Sequence, residues 1–91
     1  MIETITLQDK YSDGSIINRN VFCEVESVSQ KEFFEASQQG FKPEYKLTLW
    51  ISDYNNEPIV ILNGEAYKIY RSYRCNADRM ELYITLKSGV K

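Results

Sequence analysis

The sequence predicts an all-β fold, a small antiparallel β-barrel of six strands with one short helix between strands two and three and a long loop after strand one. Apolar and polar residues alternate with a period of two in most segments, which is the pattern of strands with one buried face. Turn-forming residues separate these segments at short intervals, which indicates antiparallel neighbours. Aromatic residues make up 13% of the chain, a composition that favours pleated, half-buried surfaces.

Size and charge limit the classes of protein to which the chain can belong. A chain of 91 residues buries only one modest core, so residues 1–91 are expected to form a single domain. Its net charge of −2 predicts no general attraction to a phosphate backbone or an anionic membrane. No apolar run approaches the roughly 20 residues that a membrane-spanning helix needs, and no signal-peptide pattern opens the sequence. We expect a protein that is made and kept in the cytoplasm.

The first two strands are predicted on either side of a polar segment. Residues 2–8 and residues 21–26 each alternate between apolar and polar side chains. Between them, residues 9–20 contain serine, aspartate, glycine and asparagine, which stabilise turns, and they are predicted to form a long loop. Apolar side chains on such a connection often mark a contact surface, so this loop is the first candidate interface. Its predicted contact residues are Tyr11, Asp13, Ile16 and Ile17.

A change of period after strand two predicts the helix. Ser29, followed three residues later by Glu32, forms a capping box, which is a typical helix start. The helix is predicted to run for about ten residues to Gln39 and to stop at Gly40, which tolerates the left-handed conformation found after helix ends. Because so short a helix is unstable alone, it must pack on the barrel.

Four further strands are predicted in the second half. Residues 44–52 alternate, and their pattern points Trp50 outward. Residues 59–62 form a continuous apolar run, which predicts a strand buried on both faces, and the dipeptide Asn63-Gly64 predicts the type I′ turn of a two-residue hairpin. The last two strands are predicted at residues 67–73 and 80–86, and residues 87–91 are expected to fray.

Residues that enzymes commonly use are missing. The chain has no histidine, which removes the usual general base near neutral pH and the commonest transition-metal ligand. It has four glycines and no glycine-rich phosphate loop. Cys23 and Cys75 lie far apart without a CxxC spacing, and we interpret both as small structural hydrophobic residues. We therefore predict no catalytic residue, no metal site and no cofactor.

A basic and aromatic segment supports one alternative function. Residues 67–74 interleave lysine and arginine with tyrosine, as single-strand-binding barrels do when bases stack on rings beside a cationic groove. The alternation places Tyr67 and Ile69 in the core, however, and the acidic chain lacks a clustered positive field. A small single-stranded nucleic-acid-binding module is therefore the alternative, and aromatic packing across a hairpin is the simpler interpretation.

Four sets of residues, in order along the chain, carry a family resemblance. They are SVSQKEFFEASQQGFKPEY at residues 27–45, Asp53 with Tyr54, IYRSYR at residues 69–74, and Glu81, Leu82 and Tyr83. In order and spacing they resemble the head-tail adaptor, or head-closure, proteins of phages and Gram-positive prophages. The resemblance covers about residues 2–87, nearly the whole chain.

The resemblance implies a structural virion protein. In such phages a homo-oligomeric ring sits below the portal and its adaptor, retains the packaged DNA and offers a docking surface for the tail. It implies portal, adaptor and tail proteins as partners, with DNA passing through without sequence-specific binding and with no membrane partner. The isolated chain is expected to stay monomeric until a partner templates the ring. The expected locations are the host bacterial cytoplasm during assembly and then the head-tail junction of the virion.

A ring requires a heterologous interface, in which one patch meets a different patch on the neighbour. Besides the loop of residues 9–20, the segment of residues 29–45 is a candidate, because a short capped helix can pivot as a unit towards a neighbour or the channel. Its predicted contact residues, together with the outward Trp50, are Phe34, Phe41 and Lys42. The alternative is that Phe33, Phe34 and Phe41 simply cap the open end of the barrel.

Acidic residues are predicted to face the channel if the barrel lines it. Carboxylates repel phosphate and would let DNA slide without sticking. The candidate residues are Glu24, Glu26, Asp53 and Glu57.

Overall fold

The computed structural model describes residues 2–86 and confirms the predicted fold class. Its elements are β1 (Ile2–Lys10), β2 (Ile16–Glu26), α1 (Gln30–Gln38), β3 (Pro43–Trp50), β4 (Ile59–Leu62), β5 (Glu65–Arg74) and β6 (Arg79–Leu86). The six strands are all paired antiparallel and close into a barrel in the order β1-β2-β3-β6-β5-β4. Residues 87–91, for which fraying is predicted, lie outside the described residues. Within residues 2–86 no helix is long and apolar enough to cross a membrane.

All six strands contribute side chains to one core, as the predicted alternation requires. Every second side chain points inward, and the large aliphatic ones with at most 2% exposure are Ile5, Leu7, Leu47, Leu49, Val60, Leu62, Leu82 and Ile84. Burying one such side chain contributes about 1.5–3 kcal/mol. Burial of these residues is therefore a large favourable contribution to the stability of the closed sheet.

The connection between β1 and β2 is much shorter than predicted. Strand pairing continues out to Lys10 and Ile16, so the connection contains only residues 11–15 rather than residues 9–20. The predicted long loop is wrong in this respect, and Ile16 and Ile17 lie on β2.

Polar side chains on the outer face of the hairpin account for this extension. Thr6 donates a hydrogen bond to Asn20 Oδ1 (2.8 Å), and Gln8 donates one to Asn18 Oδ1 (3.1 Å). The asparagines therefore bond across the hairpin instead of forming turns. Asp13 does act as a turn residue, because its carboxylate accepts hydrogen bonds from the backbone N–H and the hydroxyl of the serine two residues later.

The outer part of this hairpin projects beyond its neighbours. Strand β4 pairs with β1 only at residues 6–8, and β3 pairs with β2 only at residues 24–26. Residues 9–17, which we call the projecting hairpin, therefore have no strand neighbour outside the hairpin within the described part of the chain.

Both ends of the helix are as predicted. The Ser29 hydroxyl accepts a hydrogen bond from the backbone N–H of Glu32 (3.1 Å), and Gly40 follows the last turn with φ of +90°. Only Glu32 and Ala36 are buried along α1. The helix therefore lies against the barrel with little apolar contact.

Strand β3 ends at Trp50, where a 3₁₀ turn at Ile51–Asp53 follows, and Trp50 points outward as predicted. The predicted type I′ turn fits the positive φ angles of Asn63 (52°) and Gly64 (81°).

Strand β4 is buried on one face rather than on both. Val60 and Leu62 are buried, whereas Ile59 and Ile61 are partly exposed. Because β4 belongs to a single curved sheet that pairs with β1 and β5, its outer face looks towards solvent. The prediction of burial on both faces, which was made from the continuous apolar run, is therefore wrong for one face of β4.

The two cysteines have different environments. Cys23 is buried in the core, where desolvation raises the pKa of its thiol to about 12. Cys75 is exposed. The interpretation as a structural hydrophobic residue is confirmed for Cys23 and wrong for Cys75.

Truncation of a fully buried leucine tests the core. We expect Leu82→Ala to lower the free energy of unfolding by about 2–5 kcal/mol, because it removes apolar contacts and leaves a cavity. Leu86→Ala on the same strand is the control, since Leu86 is 41% exposed. Urea unfolding followed by Trp50 fluorescence measures both, and equal losses in the two variants would contradict the assigned core.

Candidate functional site

A β-bulge in β5 directs two side chains towards the helix. The pairing of β5 with β6 shifts between Ile69 and Arg71, so that Tyr70 is the extra residue. Bulges of this kind re-aim side chains locally. The Tyr70 hydroxyl donates a hydrogen bond to Glu32 Oε2 (2.8 Å), and the guanidinium of Arg71 donates one to Glu32 Oε1.

Glu32 is therefore the polar anchor of α1 on the barrel. Its side chain is only 10% exposed, and a buried carboxylate is stable only when its charge is paired and hydrogen-bonded. In a complete capping box this carboxylate would bond back to the helix start. Here the Ser29 half of the box is present, and the carboxylate bonds to β5 instead.

Aromatic rings extend this contact across the outer face of the sheet. Phe41 stacks on Tyr70 with ring centroids 4.8 Å apart. The guanidinium of Arg71 lies 4.4 Å from the ring centroid of Tyr83 and 5.1 Å from that of Tyr73, which is within the range of cation–π attraction. We call Glu32, Phe41, Tyr70, Arg71, Tyr73 and Tyr83 the outer cluster.

Burial and hydrogen bonding raise the pKa of two tyrosines in the outer cluster, Tyr70 and Tyr83. Burial, followed by the hydrogen bond to Glu32, raises the pKa of Tyr70 above its ordinary value of 10.0. Burial and hydrogen bonds, including one to Glu81, likewise raise the pKa of Tyr83. Both hydroxyl groups are therefore donors at neutral pH rather than acids ready to ionise.

The outer cluster joins three of the segments that carry the family resemblance. Residues 27–45 supply Glu32 and Phe41, residues 69–74 supply Tyr70, Arg71 and Tyr73, and residues 81–83 supply Tyr83. Sequence reasoning missed this cluster. The one available signal is that Glu32 lies four residues before Ala36, on the helix stripe that faces the barrel.

Most of the predicted interface residues are exposed. On the projecting hairpin these are Tyr11, Asp13, Ile16 and Ile17, and elsewhere they are Phe34, Lys42 and Trp50. Phe41 differs, because its ring packs on Tyr70. The structure places Phe41 within the fold, where it holds the end of the helix segment.

The alternative position for the phenylalanines, across the open end of the barrel, is not found. Phe33 and Phe34 are 44% and 62% exposed on α1, and Phe41 lies on the outer face of the sheet. The partly buried aromatic rings that pack against the core are instead Tyr45 and Tyr54.

The four predicted channel acids have different environments. Glu24 and Glu26 lie towards the end of β2, and Glu26 forms a salt bridge with Lys46 (3.1 Å). Asp53 lies in the turn after β3 and is half-buried. Glu57 is only 3% exposed, so its carboxylate does not face a channel or bulk solvent in this structure.

Glu57 instead ties β2 to the segment between β3 and β4. Its carboxylate accepts hydrogen bonds from Arg19 Nε (2.7 Å) and the backbone N–H of Asn55 (2.8 Å), while Arg19 also donates to the Asp53 carbonyl (2.7 Å). Burial alone would raise the pKa of Glu57, but these hydrogen bonds outweigh burial and hold it below the ordinary value of 4.5.

A groove with both apolar and charged lining residues opens between β2 and β3, with a volume of about 320 Å³. Its lining residues are Ile2, Phe22, Cys23, Glu24, Thr48, Leu49, Trp50 and Arg79.

Within residues 2–86 no group of three histidine, cysteine, aspartate or glutamate side chains is arranged to hold a metal ion.

Three of the side chains that suggested nucleic-acid binding make contacts within the protein. Tyr67 is buried in the core, Tyr70 is stacked on Phe41, and Arg71 is paired with Glu32. A base-stacking platform needs exposed ring faces beside free cations. Lys68, Tyr73 and Arg74 remain exposed along β5, and the Arg71 side chain is partly exposed despite its salt bridge.

In comparisons with known proteins, no family model matches the chain, and no curated protein matches it.

Removal of the Glu32 charge tests the helix anchor. We expect Glu32→Gln to weaken the docking of α1 by about 1–3 kcal/mol, because a neutral amide leaves Arg71 without its carboxylate partner. Hydrogen exchange of the α1 amides measures this loss of protection. Glu35→Gln, an exposed acid on the same helix, is the control, and equal loss of protection in both variants would argue against the anchor.

Acid unfolding tests the Glu57 contact. Because the folded-state pKa is lowered, the stabilisation is complete above about pH 4.5 and is lost as the pH falls through the folded-state value. We expect Glu57→Gln to flatten the decrease in unfolding free energy below that pH, whereas Glu65→Gln at an exposed position leaves it unchanged. Urea unfolding at a series of pH values measures this dependence. If the unfolding free energy of Glu57→Gln decreased with falling pH as steeply as that of the wild type, the role of Glu57 would be refuted.

Proposed function

We propose that this chain is a structural virion protein, a subunit of the ring that joins the DNA-filled phage head to the tail. In this role the ring closes the head below the portal and adaptor proteins and offers the tail a docking surface. The role requires shape and contacts rather than catalysis. The protein would assemble in the host cytoplasm and would then lie at the head-tail junction of the virion.

The observation that carries the proposal is the meeting of separate resemblance segments in the outer cluster. Residues 27–45 are distant in sequence from residues 69–74 and 81–83, which lie on the paired strands β5 and β6, yet one set of contacts around Glu32 uses all three. Segments that a family shares are expected to meet when together they fix one structural feature. In this chain the feature that the three segments fix is the attachment of a short helix to the outside of a closed barrel.

The distribution of exposed apolar residues also supports a structural role. Tyr11 and Ile16 lie at the end of the projecting hairpin, Phe34 lies on α1, and Phe22 and Trp50 lie on the outer barrel face. Clusters of exposed apolar side chains usually mark protein contacts. Several such surfaces on one small barrel suit a subunit with more than one neighbour.

The alternative, a single-stranded nucleic-acid-binding module, has weaker support. Its candidate segment uses Tyr67, Tyr70 and Arg71 for internal packing, and the net charge of −2 gives no general attraction to phosphate. The two functions make opposite predictions about salt-dependent binding to oligonucleotides.

Co-assembly tests the proposed function. We expect light scattering to show growth into a ring-sized complex when the protein is mixed with the portal and adaptor proteins encoded beside it. Ile17→Lys on the projecting hairpin should weaken this growth, while Glu65→Lys at an exposed site on β5 should not. A protein that stays monomeric with those partners but shifts in mass with single-stranded DNA would favour the alternative.

DNA retention tests the channel hypothesis for the remaining acids. If Glu24, Glu26 and Asp53 face the channel, their replacement by lysine should increase salt-sensitive retention of DNA in purified particles. Unchanged retention would contradict the hypothesis that these acids face the channel. Glu57→Lys is unsuitable for this test, because it would also break the buried contact with Arg19.

A further inference from the structure

The end of the barrel opposite the projecting hairpin contains a pocket with a volume of about 240 Å³. Five strands contribute side chains that line it, namely Glu3 from β1, Val25 from β2, Tyr45 from β3, Leu62 from β4 and Tyr67 from β5. Typical small-molecule sites have volumes of roughly 300–1,000 Å³, so this smaller pocket suits one long side chain or a small aliphatic molecule. We call it the barrel-end pocket.

Glu3 lies at a position where the alternation of β1 places core residues. Ile5 and Leu7, which follow on the same face of the strand, are fully buried. The Glu3 side chain is half-buried, and no salt bridge within residues 2–86 neutralises it. Partial burial of an unpaired carboxylate is unfavourable, and a bound cation would offset that cost.

The Tyr67 hydroxyl is a second polar group without a partner in the pocket. Tyr67 is only 7% exposed, yet its hydroxyl forms no hydrogen bond within residues 2–86. Every fully enclosed side-chain oxygen in the described chain has a partner, so this hydroxyl must open to the pocket that Tyr67 lines. Buried tyrosine hydroxyls usually find a hydrogen-bond partner. A ligand in the pocket would supply it.

The electrostatic field at the Tyr67 hydroxyl is negative. Burial raises the pKa of this hydroxyl, and the neighbouring Tyr45, Glu44 and Glu65 raise it further. The two glutamates form no salt bridge in the described part of the chain. The pocket therefore attracts a cation and repels an anion.

The lysines at this end of the barrel leave that negative charge in place. Lys46 pairs with Glu26, which lines the pocket (3.1 Å), but it is shared with Glu81 (3.7 Å). Its single charge is therefore matched by two carboxylates. Lys42 directly precedes β3, yet it does not line the pocket and forms no salt bridge within residues 2–86.

The walls of the pocket are apolar and aromatic. Tyr45 and Tyr67 meet edge to face, with ring centroids 6.1 Å apart and ring planes at 71°, and Val25 and Leu62 add aliphatic surface. Aromatic rings attract ammonium groups, and apolar walls suit an alkyl stem. An ammonium group has three donors for separate acceptors, whereas a guanidinium favours bidentate pairing with one carboxylate. The lining therefore matches an ammonium group on an alkyl chain.

We propose that the barrel-end pocket binds an alkylammonium group, supplied either by a lysine side chain of another protein or by a free aliphatic amine. The ammonium group contacts the Glu3 carboxylate and the Tyr67 hydroxyl, and the alkyl stem packs on Val25 and Leu62. This assignment does not rest on the proposed function, because it uses neither the outer cluster nor the projecting hairpin.

Titration with a lysine derivative tests the site. Two-dimensional amide NMR of the folded chain follows Val25, Leu62 and Tyr67 while Nα-acetyl-lysine amide is added. We expect saturable shifts at these amides and none at Ile16 on the projecting hairpin. Nα-acetyl-norleucine amide, which has an uncharged alkyl side chain, is the matched ligand control. Equal shifts with this neutral ligand, or no saturable shift with the lysine amide, would overturn the proposal.

Two variants test the assigned contacts. Tyr67→Phe removes only the hydroxyl, and Glu3→Gln removes only the charge. Each should raise the Kd of the lysine amide at least about tenfold, as expected for loss of one hydrogen bond to a charged group. Tyr73→Phe on the same strand and Glu35→Gln on α1, both at exposed positions, should leave the Kd unchanged. Urea unfolding verifies that each variant folds, and an unchanged Kd in either pocket variant contradicts the site.

A parallel titration distinguishes the sources of the ammonium group. Several-fold tighter binding of a short peptide with one central lysine than of free diaminobutane would indicate a lysine of a partner protein, and the reverse order would indicate a free amine. Because Leu86 pairs with Tyr67, the chain's own later lysines are tested with the double variant Lys87→Gln and Lys91→Gln. Several-fold tighter binding of the lysine amide to this variant would show that these lysines compete for the pocket, and it would overturn an external ligand.

Discussion

Closure of the barrel by β4 is the constraint on which the rest of the structure depends. This strand has only four residues, yet it joins β1 on one side to β5 on the other. Both neighbours are at least twice as long and extend past it. The overhang of β1 and its partner β2 forms the projecting hairpin, and the overhang of β5 carries Tyr70 and Arg71. Because the closing strand is short, its longer neighbours form both the projecting hairpin and the part of β5 that contacts α1.

The helix is attached by charge and ring stacking more than by burial of apolar surface. Ala36 is the one buried apolar residue on α1 in the described chain, and the contacts of Glu32 and Phe41 with β5 hold the rest. Hydrogen bonds and ring stacking are directional, because their strength depends on the distance and the angle between the two groups. They fix the position of α1 and leave Phe33 and Phe34 exposed to solvent.

Features that depend on local sequence could be predicted well. The alternation placed Ile5 and Leu7 in the core, and the cap at Ser29 and the turn at Asn63-Gly64 follow from the preferences of those residues alone. Features that depend on distant partners could not. The predicted loop was too long because Asn18 and Asn20 favour turns until a strand supplies partners. Nothing local indicates that Glu32 bonds to residues 38 and 39 positions later.

The order in which the strands are made bears on how the barrel forms. Strand β1 pairs with β4 at Thr6 and Ile61, so the contact that closes the sheet waits until 61 − 6 = 55 further residues have been synthesised. The β1–β2 hairpin can form early from local contacts, but its apolar face stays open during that interval. Because a loop of this length loses entropy before its contacts stabilise it, we expect closure to limit the folding rate. Nascent chains would then be vulnerable to association through β1 until β4 arrives.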